Sequence, residues 1–310
     1  MHATAASVYA VVVNFRTPDL TIQTLDALLA SDLSPATRLA VTIVDNGSGD
    51  ESADQFAARF PDLRVIRSAT NLGFAGGNNL ALREVLADTA TFPDACDSFV
   101  LLLNSDLIVE PDTLARCIAF MQARPDAGVV GPKVLLPNGR LDLACRRGFP
   151  TPQRAFWKLT GLSRRFPDNP RFTGYNLTHL PIDETVEIDS GMGAFMLVRL
   201  AAVRDVGLLD DEFFMYGEDL DWAYRIKQRG WKVWYLHDAR ALHLKGATSR
   251  RQSSRMIVEF YRAMWLFYQK HQARRHGPLF DCAVLGGIVV RGALAYGVNA
   301  LRSPVDRRVS

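Results

Sequence analysis

The sequence predicts an α/β fold whose central sheet is mostly parallel and carries helices on both faces. Short apolar runs, rich in β-branched residues, alternate along the chain with longer stretches of helical periodicity. That alternation is typical of strands joined by crossover helices. Polar residues also recur where the runs end, and ligands of such sheets bind beyond the carboxyl ends of the strands.

The predicted elements follow one another in a regular order. Residues 8–13 form an apolar run that is too short to cross a membrane, so we expect a buried strand there. Pro18 suits the first turn of a helix over residues 18–30. Further strands are predicted at residues 39–44, 63–66, 99–103, 128–130 and 231–236, and further helices at residues 80–86 and 111–121.

Length and composition are those of a globular protein. A chain of 310 residues corresponds to about two domains or to one large α/β domain with additions. The net charge of +3 hides an asymmetry, because the part from Arg240 onward carries 13 Lys and Arg residues against three acids. We therefore expect the basic tail to meet an anionic partner.

The cysteines and the N-terminus indicate a reduced, cytoplasmic protein. The four cysteines have neither zinc-site spacing nor the pattern of a disulfide framework, and they are Cys96, Cys117, Cys145 and Cys282. No basic region precedes the first apolar run, so no signal peptide is predicted.

Four polar residues, Asn14, Asp45, Asn71 and Asp106, lie at or soon after predicted strand ends. Each alone also suits an ordinary turn, since Asn and Asp are favoured there. The glycine-rich loop over residues 71–79 opens a helix, so its amides could face an anionic or polar ligand. The glycine fingerprint of dinucleotide-binding folds and the Walker loop are both missing, which disfavours NAD and ATP as ligands.

The acidic cluster at residues 218–221 is the strongest local indication of a functional site. Glu218, Asp219 and Asp221 lie between two aromatic segments, so they are expected to be half-buried. Close carboxylates in a partly dry site raise one another's pKa, as a general base requires. The alternative is a helix start, where acids complement the helix dipole.

Five motifs in this order resemble the family 2 glycosyltransferases, which have a Rossmann-like fold called GT-A. The resemblance covers about residues 8–250 and is strongest to rhamnosyltransferase-like enzymes of bacterial cell-surface polysaccharide assembly. The motifs are Val11-Val12-Val13-Asn14-Phe15, Val44-Asp45-Asn46-Gly47-Ser48, Asn71-Leu72-Gly73-Phe74-Ala75-Gly76-Gly77-Asn78, Leu103-Asn104-Ser105-Asp106 and Tyr216-Gly217-Glu218-Asp219-Leu220-Asp221.

The resemblance implies a domain over residues 1–250 and a basic amphipathic helical tail over residues 251–310. Within the domain, residues 1–110 would bind the nucleotide-sugar, and residues 111–250 would supply the acceptor and catalytic half.

The resemblance also implies a divalent metal, Mg²⁺ or Mn²⁺. Asp106 matches the last acid of the family's Asp-x-Asp metal motif, whereas Asn104 departs from that motif in the first position. His243 matches a histidine that completes the metal site in some relatives, although a lone histidine is often structural.

Further roles are implied residue by residue. Asp45 would accept a hydrogen bond from the imide N–H of uracil or thymine. Asp219 would be the base that deprotonates the acceptor hydroxyl, with Glu218 and Asp221 in support. The nucleotide-sugar pocket would also include Asn14, Asn71, Gly73, Asn78, Asn104 and Asp106. The acceptor would meet Ser190, Gly191 and Met192, a segment that could equally be a tight corner between strands.

These features predict an inverting glycosyltransferase that uses a dTDP- or UDP-sugar, with dTDP-rhamnose as the first choice. The acceptor would be a lipid-linked sugar or a growing glycan, and no nucleic-acid partner is expected. One alternative is a non-catalytic sugar-nucleotide-binding component of a polysaccharide assembly complex. A weaker alternative is a nucleotidyltransferase, which usually has a Gly-rich basic loop after its first strand.

The C-terminal tail and a basic segment in the middle of the chain can each be interpreted in two ways. Residues 255–272 form an amphipathic aromatic helix, and residues 280–301 are apolar except for a few residues such as Arg291. A helix on an anionic membrane, at the inner face of the cell membrane, fits better than a span, and a pair of helices that forms a homodimer or caps the core is the alternative. Residues 146–171 are basic and loop-like, either a solvated loop or a mobile cover over a phosphate-bearing acceptor.

Overall fold

The computed structural model describes residues 5–89, 97–244 and 253–302, and within them it confirms the α/β class. Nine described strands form one sheet. They are β1 (Ala6–Asn14), β2 (Thr37–Asp45), β3 (Arg64–Arg67), β4 (Asp97–Asn104), β5 (Leu107–Val109), β6 (Ala127–Leu135), β7 (Val186–Ile188), β8 (Phe195–Arg199) and β9 (Lys232–His243).

The helices lie between these strands and in the tail. They are α1 (Pro18–Leu29), α2 (Ser52–Arg59), α3 (Gly73–Thr89), α4 (Thr113–Ala123), α5 (Pro152–Leu159), α6 (Leu162–Arg165), α7 (Pro170–Thr173), α8 (Leu200–Val206), α9 (Glu218–Gln228), α10 (Ser253–His271) and α11 (Pro278–Ala300). Short 3₁₀ turns occupy Leu143–Cys145 and Ala273–Arg275. Each helix and strand that was predicted from sequence periodicity therefore has a counterpart in the structure.

The sheet is parallel in its first half and mixed in its second. Its strand order is β3-β2-β1-β4-β8-β6-β9-β5, and β7 also pairs with β9. Strand β1 is parallel to β2 and β4, whereas β8 runs antiparallel to both β4 and β6. The register places Asn14 opposite Asp45 and Val13 opposite Asn104. The polar strand ends consequently meet at one edge of the sheet.

The central strands are buried on both faces, as expected for parallel strands covered by helices. Strand β4 shows this most clearly, because every residue from Phe99 to Leu103 is almost completely buried. The same continuous burial explains why these strands read as uninterrupted apolar runs in the sequence.

The tail packs against the start of α9 through a separate apolar cluster. Phe213 and Leu220, around the start of α9, meet Ala263 and Phe267 of α10. Helix α11 is long and apolar enough to cross a membrane by length and composition alone, and its most apolar window is not buried. The two predicted tail helices are thus present, and α11 keeps most of its surface exposed.

The expectation of a loop over residues 146–171 is wrong for most of that segment. It contains α5, α6 and the start of α7. Proline stands in the first turn of α5 and α7, and Thr151 and Asn169 cap them by accepting hydrogen bonds from backbone amides. Arg146 is buried rather than solvated, and its guanidinium donates to the carbonyls of Leu180 and Pro181 at 2.8 and 2.7 Å.

Some predicted features fall outside the described residues. They are Cys96 and the domain boundary at residue 250. The other three cysteines are free, and Cys117 and Cys145 are buried while Cys282 is exposed.

Candidate functional site

The first part of the site is a buried network at the ends of β1 and β2. The Asn14 amide donates to Asp45 Oδ1 at 2.9 Å and to Ser48 Oγ at 3.1 Å. Its own carbonyl oxygen accepts from Thr21 Oγ1 at 3.0 Å, and Ser48 also donates to Asp45. Asn14 and Ser48 both donate to Oδ1 of Asp45 and so hold the carboxylate in one orientation. Its second oxygen, Oδ2, can therefore accept a hydrogen bond from a ligand.

The glycine-rich loop folds back onto the segment that precedes the acidic cluster. Gly73 has a φ of +75°, and a Cβ there would lie 2.1 Å from the carbonyl oxygen of Phe214. The Phe74 amide donates to that same carbonyl at 2.8 Å, and the Gly73 amide donates to Asn71 Oδ1 at 2.9 Å. The first two amides of α3 therefore have protein acceptors, and the loop is tied to the segment that precedes α9.

Asn78 lies deeper in the same helix. It is almost fully buried, and its amide donates to the carbonyl of Phe74 at 2.9 Å. Asn46, which precedes Gly47, donates to the carbonyl of Gly73 at 2.8 Å and accepts from the Leu72 amide at 3.0 Å. These amide side chains hold the loop's shape.

His243 lies between two carboxylates. Its Nε2 is 3.3 Å from Asp106 Oδ1, and its Nδ1 is 3.0 Å from Asp142 Oδ2. His243 is the last residue of β9, rather than a residue beyond a strand that ends near residue 236, and it pairs with Leu107 of β5. Burial opposes protonation of the ring, but the hydrogen bonds to Asp106 and Asp142 outweigh it and raise the pKa of His243 to about 9.

This arrangement fits a divalent metal held partly by substrate. Among the described residues no group of three or more His, Cys, Asp or Glu side chains is arranged to hold a metal by itself. Asp106 and His243 nevertheless present an oxygen and a nitrogen to each other, and Asp142 orients the far side of the imidazole, as partners of metal-ligating histidines do. Phosphate oxygens would have to supply further ligands.

Asn104 ends β4 next to this pair. Its backbone amide donates to the carbonyl of Ala194 at 2.9 Å, which ties the end of β4 to the segment before β8. Its side chain is partly exposed. The departure from the family's first acid therefore leaves a neutral amide beside Asp106.

Asp219 faces the segment predicted to bind the acceptor. Its Oδ2 accepts from the Gly193 amide at 2.9 Å and from Arg147 Nη2 at 2.6 Å. Arg147 also donates to the carbonyl of Gly191 and pairs with Ser190 through the backbone. Asp219, Arg147 and residues 190–193 are thus joined by hydrogen bonds, and Ser190 and Met192 of that segment are buried.

Glu218 and Asp221 have environments that differ from that of Asp219. Glu218 is buried and its Oε2 has no hydrogen-bond partner. Burial and the negative charge of Asp219 raise the pKa of Glu218 to about 8. Asp221 instead accepts from Arg225 Nε at 2.8 Å and lies 2.7 Å from Nε2 of His271 in α10. Burial alone would raise the pKa of Asp221, but these two hydrogen bonds hold it below its ordinary value.

Three residues of the site were not singled out from the sequence. Arg147 was one member of a basic run, and nothing marked it as the partner of Asp219. Asp142 lies 101 positions before His243, and His271 lies 50 positions after Asp221. Such pairs become visible only when the strands and the tail helix are placed in space.

Comparisons with known proteins agree on one family. The sequence profile described as "Glycosyltransferase like family 2" matches residues 5–261. The chain is 28% identical over 284 residues to the N-acetylglucosaminyl-diphospho-decaprenol L-rhamnosyltransferase of Mycobacterium tuberculosis, covering 90% of this chain and 91% of the relative. It is 27% identical over 179 residues to the rhamnosyltransferase WbbL of Escherichia coli, covering 55% of this chain and 60% of the relative.

Solved structures share the fold. The match to S. aureus TarS 1–349 has a TM-score of 0.54 at 17% sequence identity. It covers 91% of this chain and 70% of the TarS chain. The match to GalNAc-T7 with UDP, GalNAc and Mn²⁺ has a TM-score of 0.57 at 14% sequence identity. It covers 94% of this chain and 55% of the GalNAc-T7 chain. At these identities the likeness concerns the fold alone.

Proposed function

Because the chain belongs to the glycosyltransferase-like family 2, we propose that it is an inverting enzyme that transfers rhamnose from dTDP-rhamnose to a lipid-linked acceptor. It is a glycosyltransferase that acts on a lipid-linked or glycan acceptor. The choice of rhamnose is supported by two relatives that are named rhamnosyltransferases. The observation that carries the mechanism is the position of Asp219 against the acceptor segment at residues 190–193.

The nucleotide would bind at the ends of β1 and β2. The free oxygen of Asp45 would accept the imide N–H of thymine, and the Asn14 amide keeps the carboxylate turned toward the base. Asn71, Gly73 and Asn78 shape the wall of this pocket through the loop that they hold. The same contacts would admit uracil, which also carries an imide N–H.

Asp106 and His243 would hold Mg²⁺ or Mn²⁺ beside Asn104, and the bound ion would offset the charge that grows on the departing diphosphate. A histidine must be neutral to ligate a metal, so His243 has to release the proton that its pKa of about 9 otherwise retains. Metal-dependent binding should therefore strengthen as the pH rises toward that value.

Asp219 would act as the general base. It accepts the proton of the acceptor hydroxyl, and the oxygen forms a bond to the anomeric carbon as the bond to the diphosphate breaks on the opposite face. The Gly193 amide and Arg147 orient the carboxylate for this step. Burial and the charge of Asp219 raise the pKa of Glu218, which favours its uncharged form and so would limit the negative charge beside the base.

Asp221 and the acceptor segment would support the base. Asp221 joins the first turn of α9 to α10 through His271, and so would hold in place the helix start that carries Asp219. Ser190, Gly191 and Met192 connect β7 and β8, and their backbone would line the acceptor's side of the site. These residues therefore act by position rather than by proton transfer.

The enzyme would work in the cytoplasm, on the inner face of the cell membrane. Helix α11 exposes apolar side chains over most of its circumference, including Val289, Val290 and Leu294. An apolar helix with basic neighbours suits a surface position on an anionic bilayer. That position would bring the site to an acceptor that never leaves the membrane.

The test separates donor binding from turnover. Asp219→Asn should lower kcat about a thousandfold, because the base is lost, while calorimetric binding of dTDP-rhamnose stays close to that of the wild type. Asp211→Asn, which changes an exposed carboxylate paired with Arg83, is the matched control and should turn over normally. Normal turnover by Asp219→Asn would show that another group is the base.

A further inference from the structure

A row of four aromatic rings runs through the segment that carries α5, α6 and α7. The ring of Trp157 lies between those of Phe156 and Phe172, with 5.1 Å between centroids on either side. The Phe172 ring in turn lies 5.5 Å from that of Phe166, which directly follows α6. Phe156 and Phe166, at the two ends of the row, are 53% and 43% exposed. The row therefore begins and ends at the surface of the protein.

Helix α5 exposes more apolar surface than a helix that packs on a core. None of its residues is buried, and Leu159 is 59% exposed. Phe156 and Leu159 lie three positions apart and so share one face of the helix. Large apolar side chains that cluster at the surface mark a site of interaction. We call the exposed side chains of residues 156–171 the α5–α7 surface.

Arginines lie around and over the aromatic row. The α5–α7 surface carries four Lys and Arg residues against one acid. The guanidinium groups of Arg165 and Arg171 lie over rings of the row, between 5.4 and 5.9 Å from the centroids. Arg164, Arg165 and Arg171 are exposed, and in the described part of the chain no carboxylate lies at ion-pair distance from them. Apolar side chains and free positive charge are therefore found together here.

Two hydrogen bonds place this surface beside the acceptor segment and the tail. Arg154 of α5 donates from Nη1 to Oδ2 of Asp189 at 3.1 Å, and Asp189 directly precedes the acceptor segment at residues 190–193. Just before α5, the carbonyl of Pro150 accepts from the side-chain amide of Gln272, the first residue after α10. The start of α5 is thus tied to the chain that leads from α10 into α11.

We propose that the α5–α7 surface is a second membrane-binding surface, which docks the sheet domain on an anionic bilayer in addition to α11. Aromatic and aliphatic side chains enter the boundary between headgroups and acyl chains, and arginines beside them meet anionic headgroups. A sugar chain would stack on the rings but would leave the arginines without counter-charge. The benefit to the acceptor rests on the proposed function, whereas binding to the bilayer does not.

Sedimentation of the full chain with vesicles tests this surface. The vesicles contain equal parts of phosphatidylcholine and phosphatidylglycerol. Leu159→Ala should weaken binding about fivefold, because an apolar side chain no longer enters the bilayer. Arg164→Ala should also weaken it about fivefold, as loss of one cation near an anionic bilayer does. Each variant weakens binding rather than abolishing it, since α11 remains as the other linked contact.

The matched controls make the same two substitutions at the far end of the sheet. Leu29 ends α1 and is 44% exposed, and Arg38 is exposed near the start of β2, at the opposite end of that strand from Asp45. Leu29→Ala and Arg38→Ala should each bind the same vesicles within about twofold of the wild type. All four substituted side chains are exposed, so thermal unfolding should show an unchanged fold in every variant.

Vesicles of phosphatidylcholine alone separate the two contributions. On these vesicles Leu159→Ala should still bind more weakly than the wild type. Arg164→Ala should bind them as the wild type does, because they carry no net charge to attract the arginine. An equal loss by Arg164→Ala on both kinds of vesicle would overturn the role given to the arginines.

The inference as a whole is overturned if Leu159→Ala and Arg164→Ala bind the anionic vesicles like the wild type, or if the two controls weaken binding as much. None of these measurements requires turnover or a bound nucleotide. Failure of the Asp219 test would therefore refute the proposed function without changing the vesicle result, and a negative vesicle result would leave the Asp219 test unaffected.

Discussion

Replacing Glu218 by glutamine should change how the stability of the protein depends on pH. The folded state holds the pKa of this carboxyl at about 8, against 4.5 for the ordinary side chain, because the group is buried next to Asp219. Between those values the folded protein keeps a proton that the unfolded chain releases. The wild type must therefore lose stability as the pH rises through this window.

The size of the effect follows from the two pKa values. Each pH unit in the window changes the free energy of unfolding by about 1.4 kcal/mol, so the upper limit across it is about 5 kcal/mol. Glutamine has no proton to exchange, and Glu218→Gln should lack this contribution. We expect the variant to gain at least about 1 kcal/mol relative to the wild type between about pH 5 and about pH 8.

Urea unfolding followed by circular dichroism at several pH values measures this difference. Any constant cost of placing an amide in the site cancels, because only the change with pH is compared. Glu212→Gln, which changes an exposed carboxylate near Lys270, is the matched control. Parallel curves for the wild type and Glu218→Gln would refute the argument that Glu218 is protonated in the folded protein.

Three further predictions concern the metal, the tail helix and the membrane. His243→Ala should remove the metal dependence of dTDP binding in calorimetry, and equal wild-type affinities with and without Mn²⁺ would contradict the proposed metal site. His271→Ala should lower the free energy of unfolding by about 1–3 kcal/mol, because buried Asp221 loses a partner, and an unchanged urea midpoint would count against that role. Deletion of the residues after 275 should release the folded protein from anionic vesicles in a sedimentation assay, whereas undiminished vesicle binding would favour a dimer interface instead.

The sequence predicted the strands and helices of the sheet domain well because buried parallel strands leave an unmistakable apolar pattern. The segment around α5–α7 was wrongly predicted as a loop, since its helices are short and its charges looked like those of a solvated surface. Arg146 is buried instead, and only 11% of the Arg147 side chain is exposed. Arg146 is held by backbone carbonyls, and Arg147 by Asp219.

The candidate site could be located from the sequence but not assembled. Asp45, Asp106 and Asp219 stood out because of their motifs and their neighbours. Asn14 pairs with Asp45, Asp142 with His243 and Arg147 with Asp219, and the two residues of each pair lie between 31 and 101 positions apart in the chain. A local sequence pattern does not show which distant residues meet in space. The register of the sheet and the packing of the loops determine those contacts.

Analysis of the reaction product tests the central claim most directly. The protein is incubated with dTDP-rhamnose, Mg²⁺ and a lipid-linked acceptor sugar, and NMR determines the configuration at the anomeric carbon of the transferred sugar. Attack from the face opposite the diphosphate predicts a new glycosidic bond whose configuration is the reverse of that in the donor. Retention of the donor's configuration, or no transfer to the acceptor while dTDP-rhamnose binds, would contradict the account.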